Sequence, residues 1–358
     1  MSEAAPLRID AARLQAFAAS LLACAGLQAP DAALVAESLV WADLRGAHGH
    51  GVARLPLYAR WLASGEMDGQ AQPRPGLCLP ALSVVEGGRC AGAVGMRAAR
   101  ELAEAGARRA GASLVLLRET THTGALGFHT ARSARAGLFA MAMAASGPLM
   151  AYHGAAAAGV STAPLSMACP GPSDPSDPSD PILFDMASGA VALGKLMQAR
   201  ATGMPLAPGW AIDAEGRPTT DARRAATPLP LGGAKGSGLA LMAEIACSLL
   251  AGHPILAPAL GAEAGAGAAR HTQNAWFLAI DIAQLMEPAR FHAQVSELAA
   301  AIRGLPPSAE GPPRLPGERG YAEARARRAD GVALPGATVT ALEGLARGLE
   351  VPPPWSGA

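Results

Sequence analysis

Between residues 82 and 282 the chain alternates short apolar runs of strand length with longer stretches of helical spacing, a pattern that restricts it to the α/β class. The runs are Leu82–Val85, Leu114–Leu117, Leu138–Met143, Ile182–Phe184 and Trp276–Ile282, and the helical stretches are Ala93–Arg109, Ala125–Arg135 and Leu239–Leu250. Outside this body both chain ends read as helix. Asp10 is a good N-cap for a helix that carries Leu14, Phe17, Ala18, Leu21 and Leu22 and ends near Gly26. A second helix starts at Pro30-Asp31 and a third covers Ala53 to Ala63. Helices return at His292–Ile302 and Thr338–Leu349, after a Pro-rich connector at Leu305–Pro316. Residues 1–75 and 285–358 are therefore expected to form one discontinuous lobe beside an α/β lobe over 76–284. A threefold Ser-Asp-Pro repeat, Ser173–Pro181, reads as an exposed loop over 171–181, and Gly261–Ala269 as a mobile connection.

A chain of 358 residues, 50% hydrophobic and 16% charged, can bury a sizeable core. Twenty-nine basic residues balance 29 acidic ones, so the summed positive field that phosphate-backbone binding needs is missing and no nucleic-acid partner is expected. Five cysteines, Cys24, Cys78, Cys90, Cys169 and Cys247, are far apart and never in a CxxC pair. Thiols in a reducing compartment fit that pattern better than a disulfide framework or a zinc site, which points to the cytoplasm. The N-terminal segment MSEAAPLRIDAARLQ has no export signal, and no apolar run approaches the ~20 residues of a membrane span.

GxGxxG, GxxxxGK[ST] and GxSxG do not occur, which disfavours a Rossmann enzyme, a P-loop enzyme and a serine hydrolase. The strongest glycine-rich element is Leu231-Gly-Gly-Ala-Lys-Gly-Ser-Gly238, leading into an apolar helix. Free backbone N–H groups at a helix N-terminus together with Lys235 suit a phosphate, although an ordinary turn capping a core helix explains the same residues. The segment 43–54 gathers Asp43, Arg45, His48, His50 and Arg54 between two helices. His48-Gly-His50 suggests metal ligation, but no second half of a ligand set follows, so no metal is expected. The competing readings are His50 exchanging protons while Arg54 holds an anionic substrate bidentately, or simply a helix-junction histidine beside an exposed arginine. His122 follows directly after the run Leu114–Leu117, at the strand end where α/β proteins keep functional groups, and is a candidate acid/base or a helix-capping histidine. His129, His153, His253, His271 and His292 have no comparable setting and read as surface or packing residues.

Five ordered motifs, DLRGAHGHGVARLPLY at 43–58, THTGALGF at 121–128, FDMASGAVALGK at 184–195, PLPLGGAKGSGLALM at 228–242 and LPGERGY at 315–321, make the chain resemble the malate/L-lactate dehydrogenase-like oxidoreductases. That family includes ureidoglycolate dehydrogenase, 2,3-diketogulonate reductase, sulfolactate dehydrogenase and Δ1-piperideine-2-carboxylate reductase. The resemblance implies a mixed-sheet, non-Rossmann NAD(P)-binding α/β fold of the sulfolactate/malate dehydrogenase type, with a helical lobe built from both chain ends. It implies a homodimer using NAD or NADP on a small 2-hydroxy or 2-oxo acid. His50 and His122 match its catalytic histidines, and Arg54, Tyr58 and Thr162 match substrate-binding positions. Ser146, Asp185-Met186-Ala187, Lys235-Gly236 and Gly317-Glu318 match its nucleotide-binding positions.

The chain departs from the family where GTNP is replaced by Ser161-Thr-Ala-Pro164 and P-x-GG by Tyr152-His-Gly-Ala155. These changes make a catalytically weakened nucleotide-binding homologue the rival expectation. Gly49 and Lys195 replace residues typical of the imine-reductase branch, whereas His48 and His122-Thr-Gly-Ala lean towards the ureidoglycolate branch.

Overall fold

The computed structural model describes residues 7–172, 180–261 and 271–355. Most of the Ser-Asp-Pro repeat and all but the first residue of the Gly/Ala run lie outside the described residues. The largest sheet has seven strands, in the order Arg74–Cys78, Leu82–Glu86, Ala112–Thr120, Gln273–Asp281, Leu138–Ser146, Leu165–Cys169 and Ile182–Met186. Only Leu82–Glu86 and Ala112–Thr120 run parallel, joined by the crossover helix Gly92–Ala110; the other neighbours are antiparallel. The sheet is thus mixed, as the α/β reading and the family resemblance require.

Both faces of the sheet are covered, so its central strands are apolar on consecutive residues instead of alternating. Strand Leu138–Ser146 reads LFAMAMAAS, with all but two residues buried. On one face the 92–110 helix lays Met96, Ala99, Ala103 and Ala107 against Val115, Leu117, Ala140, Ala142 and Phe277. The i, i+4 alanines let this helix approach closely; a larger side chain at fully buried Ala103 would cost about 1–3 kcal/mol of overpacking. On the other face Ala240, Ala243 and Cys247 pack on Met143, Ala145 and Leu165.

The helices Ala11–Cys24, Ala29–Leu44 and Leu55–Ser64 share one core with Ala324, Val332, Leu334, Leu342 and Ala346 from the end of the chain. Asp10 caps the first of them by accepting from the Arg13 N–H at 2.9 Å. Strand Leu7–Ile9 pairs antiparallel with Val332–Leu334, which fastens the two chain ends to each other.

Several boundaries differ from the sequence reading for local reasons. The third helix starts at Leu55, because two tight 3₁₀ turns, His48–His50 and Val52–Arg54, occupy the segment before it. The helix after the glycine-rich loop starts earlier, at Ala234, and passes into a π-helical turn at Ile245–Leu249. Strand Leu165–Cys169 and helices Leu193–Thr202 and Glu318–Asp330 are additional to the sequence reading.

Register places the ends of five strands along one edge. Gln273 pairs with Thr120 on one side and Ser146 on the other, and Leu165 pairs with Met186. The loops that leave this edge carry most of the candidate residues.

Candidate active site

The two 3₁₀ turns present His50 and Arg54 between helices 29–44 and 55–64. Arg54 is held by its own turn: its Nε donates to the Gly49 carbonyl at 2.7 Å, leaving both Nη amines for a ligand. His48 faces away from this function. Its Nδ1 lies 2.9 Å from Asp43 and its Nε2 3.0 Å from Arg327 Nη1, so neither ring nitrogen has a lone pair to offer a metal.

Helix 55–64 puts Tyr58 and Trp61 on one face by their i, i+3 spacing, and Tyr58 meets the loop that follows strand 112–120. Tyr58 Oη lies 2.7 Å from Nδ1 of His122. The His50 and His122 rings stack at 5.5 Å between centroids and 19° between planes. The His122 loop is fixed on both sides. Thr121 donates its hydroxyl to the Cys90 carbonyl at 3.0 Å, and the Thr123 N–H donates to Gln273 Oε1 at 3.0 Å. Gly92 lets the 92–110 helix start against this loop, since a Cβ there would sit 2.2 Å from the His122 carbonyl oxygen.

Burial first, then the Arg54 charge, lowers the His50 pKa to about 4. Burial also holds His122 well below the ordinary histidine value, with His50, Arg54 and His271 adding in the same sense. The Tyr58 phenol is pushed up by burial, which Arg54 only partly opposes, so it stays protonated. At neutral pH the cluster is two neutral imidazoles, a neutral phenol and one guanidinium. His271, read from the sequence as a surface or packing residue, belongs beside them. It stacks on Trp61 at 4.4 Å and 13°, and burial takes it down to about 4.

The nucleotide-binding candidates form a second group. The Asp185 carboxylate accepts the Gly127 N–H at 3.0 Å, at the start of helix Gly127–Arg135. Burial raises it to about 6 against that bond and the Arg45 charge. Met186 ends the same strand, and Ala187 leads to Ser188, whose N–H and hydroxyl both donate to the Thr162 carbonyl. The Ser188 carbonyl in turn accepts from Leu231 N–H, which ties Thr162, residues 185–188 and the glycine-rich loop together. Ser146 is buried at the end of the neighbouring central strand.

One nucleotide expectation needs correcting. The glycine-rich loop does not offer a row of free N–H groups: those of Gly233, Lys235, Gly236 and Ser237 donate to carbonyls within the loop, leaving the exposed Lys235 ammonium as its main anion-binding feature. Gly317 and Glu318 begin helix Glu318–Asp330, beside the outer strand Ile182–Met186 that carries Asp185 and Met186. Gly317 packs on Leu183, while Glu318 is engaged by Arg303 and the Leu315 N–H. The segment between Ser188 and Gly194 links the two groups of residues, because a Cβ on Gly194 would lie 3.4 Å from Gly49 Cα, inside the histidine turn.

Comparison with known proteins follows the same arrangement. The malate/L-lactate dehydrogenase family model matches residues 9–343. The chain is 34% identical over 248 residues to a ureidoglycolate dehydrogenase (NAD(+)) of Escherichia coli O157:H7, covering 69% of this chain and 70% of that one. It is 32% identical over 343 residues to a Δ1-pyrroline-2-carboxylate/Δ1-piperideine-2-carboxylate reductase of Pseudomonas putida, covering 95% and 96%. The malate dehydrogenase structure from Pyrococcus horikoshii OT3 superposes with a TM-score of 0.85 at 28% identity, covering 97% of each chain. A shared fold, five motifs in order and a match over nearly the whole length lead to one conclusion: the chain belongs to the malate/L-lactate dehydrogenase family.

Proposed function

We propose that the protein is an NAD(P)-dependent oxidoreductase that interconverts a small 2-hydroxy acid and its 2-oxo acid. The observation that carries this reading is the hydrogen bond between Tyr58 and His122 beside a guanidinium with two uncommitted amines. The residues present fit a dinucleotide: a lysine at the glycine-rich turn, with Ser146, Thr162 and residues 185–187 along the same sheet edge. When bound there, the nicotinamide supplies the hydride donor or acceptor.

The chain's own residues handle the proton and the carboxylate. Oxidising a carbinol carbon requires the hydroxyl proton to leave, and neutral His122 can accept it at Nε2 while Nδ1–H donates to Tyr58 Oη. In the reducing direction the step runs backwards: His122, protonated at both nitrogens, returns the Nε2 proton to the new hydroxyl while Nδ1–H still donates to Tyr58 Oη. The phenol serves both directions because its oxygen accepts in each. Arg54 grips the carboxylate with its Nη amines and fixes which carbon is presented, an orientation effect worth several kcal/mol. His50, neutral and stacked on His122, supplies a second hydrogen-bonding imidazole to the same substrate.

Ureidoglycolate is the acid favoured by the His122-Thr-Gly-Ala string. A panel of 2-oxo and 2-hydroxy acids run with NAD(H) and NADP(H), followed by absorbance of the reduced nicotinamide, tests the reading. Tight NADH binding without turnover on any acid would favour the weakened homologue instead. Ala163, where the family has asparagine, adopts a left-handed φ of 35° and motivates that comparison.

We also infer a homodimer and a cytoplasmic setting. Met242, Leu249 and Leu250 leave an apolar stripe exposed along the helix after the glycine-rich loop, and all five cysteines are free. Among the described residues no helix is long and apolar enough to cross a membrane. A helical lobe from 1–75 with 285–358 and a nucleotide lobe over 76–284 remain the proposed division, supported by the core shared between the two chain ends.

A further inference from the structure

The turn that carries His50 and Arg54 is built around a carboxylate to which the mechanism above gives no role. Asp43, in the last turn of helix 29–44, is 1% exposed. One oxygen accepts the Val52 N–H at 2.7 Å, so it holds the second 3₁₀ turn; the other lies 2.9 Å from His48 Nδ1 in the first. The His48 ring then reaches Arg327, whose Nη1 lies 3.0 Å from Nε2 and also donates to the Asp43 carbonyl. Arg327 is itself paired with Glu323 at 2.8 Å, both on helix Glu318–Asp330. An arginine only donates, so Nε2 must accept and Nδ1–H must donate to Asp43, which fixes one tautomer of His48. Gly51 makes room for this: a Cβ there would sit 2.1–2.3 Å from the Asp43 carboxylate atoms, while its φ of −91° suits any residue.

We propose that Asp43, acting through His48 and Arg327, is a positioning residue that locks both turns in the geometry presenting His50 and Arg54 to the substrate and couples that geometry to helix Glu318–Asp330. The inference rests on the substrate-facing reading of Arg54 and His50. Asp43→Asn is informative because its amide nitrogen would face either His48 Nδ1–H or Val52 N–H, so one of the two bonds must be lost.

The test uses the full chain with Asp43→Asn, Arg327→Met and, as the conservative variant, Arg327→Lys. Amide hydrogen exchange is followed at residues 50–54 and in strand 273–281. KM and kcat are measured with pyruvate, glyoxylate and oxaloacetate, and the NADH Kd by fluorescence. Expected are exchange in 50–54 faster by about tenfold or more, unchanged exchange in 273–281, and KM for the accepted acid raised by about tenfold, the order of one lost charge-assisted hydrogen bond. The NADH Kd should hold and Arg327→Lys should restore part of the KM. Wild-type exchange in both Asp43→Asn and Arg327→Met overturns the clamp. Faster exchange with an unmoved KM overturns the positioning role. If the wild type turns over none of the acids while exchange responds as stated, the clamp stands and the 2-hydroxy-acid reading is what fails.

Discussion

The Tyr58 hydroxyl lies 2.7 Å from Nδ1 of His122, with both groups neutral at physiological pH. Nδ1 is committed to the phenol, so Nε2 is the nitrogen free to act on substrate, and a phenol that accepts from Nδ1–H leaves Nε2 with the lone pair a base needs. Tyr58→Phe keeps the ring and its stacking on Trp61 but removes that control. It is expected to lower kcat by about tenfold or more, less than the roughly 10²-fold or greater loss expected for His122→Ala. Steady-state kinetics on the best acid of the panel check this, and a Tyr58→Phe enzyme with wild-type kcat would remove Tyr58 from the proton path.

Much of the frame was legible in the sequence, because local signals agreed with the fold. Asp10 caps its helix as its type suggests, and the unbroken apolar run Leu138–Met143 has the length and composition of a strand covered on both faces. Strand Leu165–Cys169 escaped because Ser166 interrupts its apolar run and leaves only three apolar residues in a row. The strand is justified by its neighbours, pairing Met143 on one side and Met186 on the other. Helix 318–330 escaped because it is polar nearly all round, with only Tyr321 and Ala324 buried. In the site, His50, Arg54 and His122 were visible from motif and strand-end position. His271 was not, since its only signal is a stack on Trp61 across more than 200 residues of sequence. The glycine-rich loop misled in detail, because composition reports the freedom of a backbone and not which carbonyls its N–H groups will find.

Acid should weaken the fold in a defined window. His50 and His271 fall from an ordinary 6.5 to about 4 on folding, so below pH 6.5 the unfolded chain binds protons that the native one refuses. Their contribution to stability is whole above about pH 6.5 and is lost as pH falls towards 4, at no more than about 1.4 kcal/mol per pH unit for each, less where solvent reaches the ring. Asp185, raised from 3.8 to about 6, acts in the opposite sense over its own range. The clean comparison is therefore between wild type and His271→Phe, which keeps an aromatic ring on Trp61 without a titrating nitrogen. Urea midpoints between pH 7.5 and 5.0 should fall less steeply in the variant, and parallel curves would contradict the assignment.

Arg54 anchors itself through Nε on the Gly49 carbonyl, so its two Nη amines form a planar fork at fixed height above the turn. Lysine can keep the charge but cannot hold both the carbonyl and a bidentate carboxylate. Arg54→Lys is expected to raise KM for the acid by about tenfold or more with little change in NADH affinity, a split read directly from kinetics and fluorescence titration. Equal losses in both would place Arg54 on the cofactor and not on the substrate.

The same separation applies at the glycine-rich loop, where charge and shape reside on adjacent residues. Lys235 is exposed, and the neighbouring N–H groups of the loop are bound to its own carbonyls, so under the proposed dinucleotide reading the ammonium is the group that would attract a phosphate. Lys235→Ala should weaken NADH binding by about tenfold at low ionic strength and less at high salt, because an exposed charge is screened, and it should leave the fold intact. Gly236 has the converse role. A methyl there would lie 2.6–2.7 Å from the Leu231 carbonyl oxygen and amide nitrogen and from the Ser188 carbonyl oxygen, all of it backbone that cannot swing aside. Gly236→Ala should therefore lower the urea midpoint and disturb the link to Ser188 and Thr162, losing NADH affinity at every salt concentration. A Lys235→Ala enzyme whose NADH affinity matches wild type at low salt would mean that this loop does not meet the phosphates.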